Sequence, residues 1–205
     1  TGRSLYFFSG GKGQYLVKNK KMTAPSFDSF GWLWVAESDG AVRAYNAAST
    51  NEKERSKGIE IPVSWRSGMT FSSLRISHDG ARVVVVGTRD GTAAVVMSGV
   101  VRDSSGTPKG FTEPVRVTSS ITPRTAVWAG EQNLVVVNDK TGESEVTTLS
   151  GEETKFDRLD GVKSVSAAGN TSNMLAHRSD GSCYVLEERG WNRLNTSTRE
   201  MSFAG

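Results

Sequence analysis

Val83-Val-Val-Val-Gly-Thr-Arg-Asp-Gly-Thr-Ala-Ala-Val-Val96 is the stretch that decides the fold. Two apolar runs rich in β-branched residues flank Asp90-Gly91. Asp-Gly between such runs is a strong hairpin signal, because tight primed turns need a positive φ that glycine supplies without a Cβ clash. Val83 to Val86 is apolar at four consecutive positions, so both faces of that strand expect cover, as in a sheet sandwiched between neighbours.

The pattern recurs on either side. Trp32-Leu-Trp-Val-Ala-Glu-Ser-Asp-Gly-Ala-Val-Arg-Ala-Tyr45, Leu134-Val-Val-Val-Asn-Asp-Lys-Thr-Gly-Glu-Ser-Glu-Val-Thr147 and Asn173-Met-Leu-Ala-His-Arg-Ser-Asp-Gly-Ser-Cys-Tyr-Val-Leu186 repeat it, with turn glycines at 40, 142 and 181. The third repeat replaces Asp-Gly with Thr141-Gly142. Leu5 to Phe8 and Gln14 to Val17, joined through Ser9-Gly-Gly-Lys-Gly13, form a fifth hairpin. A further short strand precedes each repeat, at Ala24 to Phe27, Leu74 to Ser77, Thr125 to Trp128 and Val162 to Val165. Another follows it, at Ile59 to Val63, Pro114 to Thr118, Thr154 to Leu159 and Trp191 to Leu194.

Four strands per repeat with a period of roughly 40–50 residues is the pattern of a β-propeller blade. The 205 residues therefore predict a single all-β domain over 1–205, a propeller of five four-stranded blades. The first blade is incomplete, or is closed by a C-terminal strand around Arg199 to Phe203, since an open sheet edge invites aggregation. No segment carries sustained helical periodicity. Two polar insertions, about Ala47 to Gly58 and Ser98 to Glu113, read as mobile loops that project from the rim opposite the second-to-third turns and form a second candidate surface.

Composition narrows the chemistry. One cysteine cannot make an internal disulfide, and two histidines fall short of the usual zinc ligand set. No run approaches the roughly 18 apolar residues of a membrane span. The net charge of +3 favours acidic partners only weakly.

Pro25-Ser-Phe-Asp-Ser-Phe-Gly-Trp-Leu-Trp-Val35, with Leu74-Arg-Ile-Ser-His-Asp-Gly-Ala-Arg-Val83 and Met201-Ser-Phe-Ala-Gly205, resembles the C-terminal propeller domain of the actinobacterial lipoprotein LpqB family. The likeness spans nearly the whole chain. The Phe-Asp-x-x-Gly-Trp-x-Trp run is its most specific part, whereas Ser-x-Asp-Gly occurs in many propellers. His78 departs from the Pro common at that slot, and Ala129-Gly-Glu-Gln132 replaces an aspartate turn. The resemblance implies an exported protein tethered to the outer face of the cell membrane by a lipidated N-terminal cysteine that lies outside this sequence. It also implies a sporulation/germination-type domain upstream, and a partner in the extracytoplasmic part of the Mtr sensor kinase, with effects on envelope homeostasis and division. It assigns no catalytic residue.

The candidate chemical motifs read as structure. Ser77-His78-Asp79 has half of a triad, but adjacent turn residues rarely face each other, so Asp79 is expected to cap its own turn. His177 fills a slot held elsewhere by Ala36, Gly87 and Asn138. Asp39, Asp90 and Asp180 sit a blade apart in their own hairpins, so no metal is expected, and Cys183 occupies a small-residue strand slot. Lys18-Asn-Lys-Lys21 lacks the interleaved aromatics of a nucleic-acid surface. Ser9-Gly-Gly-Lys-Gly13 lacks a Gly-Lys-Ser/Thr ending and a following helix, so it is a turn. No cofactor is implied, and the domain is read as non-enzymatic.

The better functional candidates are rim loops. Second-to-third turns and the connections into the next blade share one face, which would gather Trp65, Arg66, Arg89, Arg124 and Arg178 as a partner-binding rim, since aromatic and Arg side chains dominate hot spots. A sensor-kinase ectodomain is the expected protein partner. The alternative is a cell-wall carbohydrate or small ligand at the channel mouth, with Trp65 stacking on a sugar face.

Overall fold

The computed structural model describes residues 4–9, 11–18, 20–37, 39–64, 68–149, 158–167, 174–187 and 190–194. The first hairpin is β1 (Leu5–Ser9) and β2 (Lys12–Val17). The next sheet holds β3 (Ser26–Phe27), β4 (Trp32–Ala36), β5 (Val42–Asn46) and, after helix α1 (Glu52–Lys57), β6 (Ile59–Ile61). The third holds β7 (Thr70–Ile76), β8 (Arg82–Arg89), β9 (Thr92–Arg102), β10 (Pro108–Phe111) and β11 (Val115–Val117). The fourth holds β12 (Thr125–Ala129), β13 (Asn133–Asn138) and β14 (Glu143–Thr148). The fifth runs β15 (Val162–Ala167), β16 (Met174–Arg178), β17 (Cys183–Glu187) and β18 (Gly190–Arg193).

The sheets are antiparallel meanders in sequence order, except that in the third β11 returns to pair β9 alongside β10. The first strands β3, β7, β12 and β15 pack on one another in turn around an axis, which is the arrangement of propeller inner strands. The all-β propeller read from the repeat is therefore the fold. Strand alternation builds the core between blades. Val83 and Val85 pack toward Trp34 and Val42, while Val84 and Val86 pack toward Trp128 and Leu134, so consecutive valines serve opposite neighbours. Val135 and Val137 repeat the device against Met174 and Ala176.

Several local expectations change. Among the four repeat hairpins, Asp90-Gly91 is the two-residue primed turn, with φ of 50° and 78° and Arg89 paired to Thr92. The Asp180-Gly181 loop is a three-residue turn: Gly181 N donates to Arg178 O, Arg178 N donates to Ser182 O, and Gly181 alone is left-handed. Glu37 to Ala41 repeats that geometry around Gly40.

The two insertions hold regular secondary structure. Asn51 caps α1 by accepting from Lys53 N, with acidic residues in the first turn and basic ones in the last, so local capping and charge favour a single short helix. From Ser98 to Glu113 the chain is a bent hairpin rather than a loop. β9 pairs β11 through its first half and β10 through its second, so this sheet has five strands. The switch falls at Ser98 and Gly99, where Thr112 Oγ1 accepts from Gly99 N and Ser98 Oγ donates to Thr112 O. In the fourth sheet the expected outer strand at Thr154 to Leu159 lies largely outside the described residues, as does the C-terminal run around Arg199 to Phe203.

Candidate functional site

The meander sorts loops onto two rims. One rim collects the ends of β4, β8, β13 and β16 with the entries to β7, β12 and β15. Arg89, Arg124 and Arg178 lie there. Each of the latter two is held within its own sheet. Arg124 Nε sits 2.7 Å from Asp139 Oδ1, and Arg178 Nε donates to Asp160 O at 2.6 Å. Arg178 also reaches Asp180 and stacks 5.6 Å from the Tyr184 ring centre. Arg89 is exposed at the end of β8, and Trp65 and Arg66 lie outside the described residues. A cleft of about 610 Å³ opens on this rim between the edge of β9, from Thr92 to Val95, and the segment Thr118 to Pro123. Buried Glu145 shapes it by accepting from Ser120 N and Oγ.

The opposite rim holds a more organised surface, built by the Phe-Asp-x-x-Gly-Trp-x-Trp run. Asp28 is the hub. Its Oδ1 accepts from Phe30 N and Trp32 N, both at 2.9 Å, which closes the turn after β3. Its Oδ2 accepts from Trp34 Nε1 at 2.7 Å and from Arg102 of the next sheet at 2.6 Å. The carboxylate is fully buried and the Arg102 side chain is 11% exposed. The Arg102 guanidinium lies 4.3 Å from the centre of the Phe30 ring, which is itself 51% exposed. An aromatic ring facing water is thus fixed in place by a locked cation.

The fit is close. A Cβ at Gly80, where φ is 71°, would come within 2.9 Å of the Phe30 ring, so the β7–β8 turn of the next sheet can approach this ring because a glycine stands there.

Beside it the channel mouth is a cleft of about 400 Å³ lined by Phe27, Arg75, His78 and Trp128 among others, contributed by the ends of the inner strands. Arg75 Nη1 donates to Ala24 O at 2.9 Å, Trp128 Nε1 donates to Arg75 O at 3.1 Å, and Ile76 N donates to Ser26 Oγ at 2.9 Å, tying three inner strands together. Burial pushes the Arg75 guanidinium below its ordinary pKa. Phe27 stands 59% exposed at this mouth.

The expected turn role of Asp79 is seen: it accepts from Ala81 N at 2.9 Å and from the Ser77 hydroxyl. Despite the opposing effect of burial, these bonds and nearby Arg82 hold its carboxyl below the usual range. Asp39 likewise accepts from Ala41 N, and Asp180 from Ser182 N.

Arg102 lies in the Ser98 to Glu113 insertion expected on this rim, whereas Phe27, Phe30 and Arg75 are rim residues that the loop pattern does not single out. The two phenylalanines flank Asp28 in the run that carries the family resemblance.

The fold and these rims define a β-propeller presenting loop surfaces around a central channel. The model of the lipoprotein LpqB β-propeller domain matches residues 1–201, and the chain belongs to that family. A curated relative, lipoprotein LpqB of Streptomyces avermitilis, is 27% identical over 131 residues, covering 62% of this chain but about a fifth of the relative, at 21%. Among solved structures, the C-terminal WD40 domain of Sif2 is similar with a TM-score of 0.52 at 14% identity, over 94% of this chain and 52% of that one. A chain of a mitotic checkpoint complex is similar with a TM-score of 0.54 at 12% identity, over 94% and 73%. These structural likenesses support the propeller fold.

Proposed function

We propose that this domain is a non-catalytic protein-interaction module of an exported lipoprotein, held on the outer face of the cell membrane by an N-terminal lipid. In this reading it serves an Mtr-type sensor kinase, engaging its extracytoplasmic part and so influencing envelope homeostasis and division. The family membership supports the lipoprotein setting. The observation that carries an interaction role is Phe30, a solvent-facing aromatic immobilised on Arg102, with Phe27 three positions away at the channel mouth. A rigid exposed aromatic loses little conformational freedom on binding, which is what a hot spot requires. The rival surface is the opposite rim with Trp65, Arg66, Arg89, Arg124 and Arg178.

The test is a titration of the domain with the sensor ectodomain. Phe27→Ala with Phe30→Ala should weaken binding by about 30-fold, the loss typical of hot-spot truncation, while Arg89→Ala, Arg124→Ala and Arg178→Ala together leave it within about twofold. The reverse ranking moves the interface to the other rim, and absence of binding by the wild-type protein removes the proposal. The alternative, a cell-wall carbohydrate or small ligand at the channel mouth, rests on Trp65, which lies outside the described residues; among those described, Trp34 and Trp128 are buried and offer no ring face to a sugar.

A further inference from the structure

The β1–β2 hairpin is displaced outward from the ring of first strands. Its inward face, Leu5 and Phe7 with Leu16 and Val17, packs on Leu33, Val35 and Tyr45, which belong to the second and third strands of the next sheet. β2 also meets α1, which lies in the outer connection of that sheet. Gln14 Nε2 donates to Glu52 O at 2.7 Å, and Arg55 stacks 5.0 Å from the Phe7 ring centre. β2 leads straight into β3, the first strand of the next sheet, as β6 leads into β7 and β11 into β12, so the hairpin holds the place of a third and fourth strand.

The hairpin also lacks what an end piece would have. Its other face carries Tyr6, Phe8 and Tyr15, which are 51%, 68% and 50% exposed, where a terminal surface in water would carry polar side chains. An isolated two-stranded hairpin is marginally stable on its own. In the other sheets the strands run outward in sequence order. By the same order, what lies inside β1 is the chain that comes before it.

We propose that β1 and β2 are the outer half of a blade whose two inner strands are supplied by polypeptide preceding Thr1. Those two strands pair with the edge of β1 that no described strand occupies and fill the ring position between β3 and β15. The inserted strand would also form part of the channel mouth beside Phe27, so the cleft described above is one flank of a larger rim.

Hydrogen exchange on the longest natural polypeptide containing these residues tests the assignment. A paired β1 shows slow exchange at every amide from Leu5 to Ser9, as in the central strand β8. An unpaired edge shows alternating slow and fast amides, the fast ones exchanging about 100-fold more quickly, and that pattern overturns the proposal. Two controls separate the supplier. Deleting residues 195–205 leaves β1 protected if the preceding chain is the donor, and loss of protection with β8 still protected assigns the strand to the C-terminus and refutes the inference. Protection that disappears on dilution assigns it to a second copy and refutes it equally.

Discussion

Asp28→Ala is the sharpest test of how this rim is held. The substitution removes the acceptor of four donors at once: Phe30 N, Trp32 N, Trp34 Nε1 and Arg102 Nη2. Arg102 keeps its bonds to Gly106 O and Gly80 O, but its Nε already has no partner and the guanidinium is nearly buried. Removing one member of a buried pair leaves an uncompensated charge, a loss of about 3–5 kcal/mol. That is a large part of the roughly 5–15 kcal/mol that stabilises a typical domain. Urea unfolding followed by tryptophan fluorescence measures it, because Trp32 and Trp34 lie in the affected turn. Asp28→Asn keeps an acceptor and should lose less. Arg102→Met in the Asp28→Ala background should restore part of the loss, since the orphaned charge is then gone. If Asp28→Ala costs under about 1 kcal/mol, or if the double substitution is no better than the single, the buried pair is not what holds the rim.

Two further outcomes follow from the turns. Gly91 and Gly142 are both left-handed, at 78° and 80°, but a Cβ at Gly91 meets open space while one at Gly142 falls 2.8 Å from the Gly161 backbone. Gly91→Ala should therefore cost about 1–2 kcal/mol from backbone strain alone, and Gly142→Ala about 2–4 kcal/mol, strain plus overpacking; equal shifts in thermal midpoint would contradict the contact. In the β9–β10 turn, Ser105 Oγ, then Lys109 and the Thr107 and Ser105 amides, draw the Asp103 carboxyl from 3.8 down to about 2. Because the folded value is the lower one, the stabilising bonds are complete above pH 3.8 and lost as pH falls toward 2. A carboxyl NMR titration should show that low midpoint and its rise in Ser105→Ala, and an ordinary midpoint in the unaltered chain would discard this turn geometry.

Much of this protein was decided locally. Alternating apolar residues and a left-handed glycine act over a few positions, so the hairpins at Gly40, Gly91, Gly142 and Gly181 and their recurrence could be read directly. The doubled cover of Val83 to Val86 was legible for the same reason. Turn type was not, since Asp-Gly fits both a two-residue primed turn and a three-residue loop, and the register of the flanking strands selects between them. The Ser98 to Glu113 segment read as a loop because its polar residues hide a strand that changes partner at Gly99.

The rim belongs to the tertiary structure. Asp28 and Arg102 are 74 positions apart and meet only because neighbouring blades turn their edges toward each other. No local pattern encodes a cation stacked under Phe30. The sequence by itself determined the strands, the turns and their repetition, whose causes lie within a few residues. The curvature of the ring decided which exposed side chains share a face, because that depends on how whole sheets pack against one another.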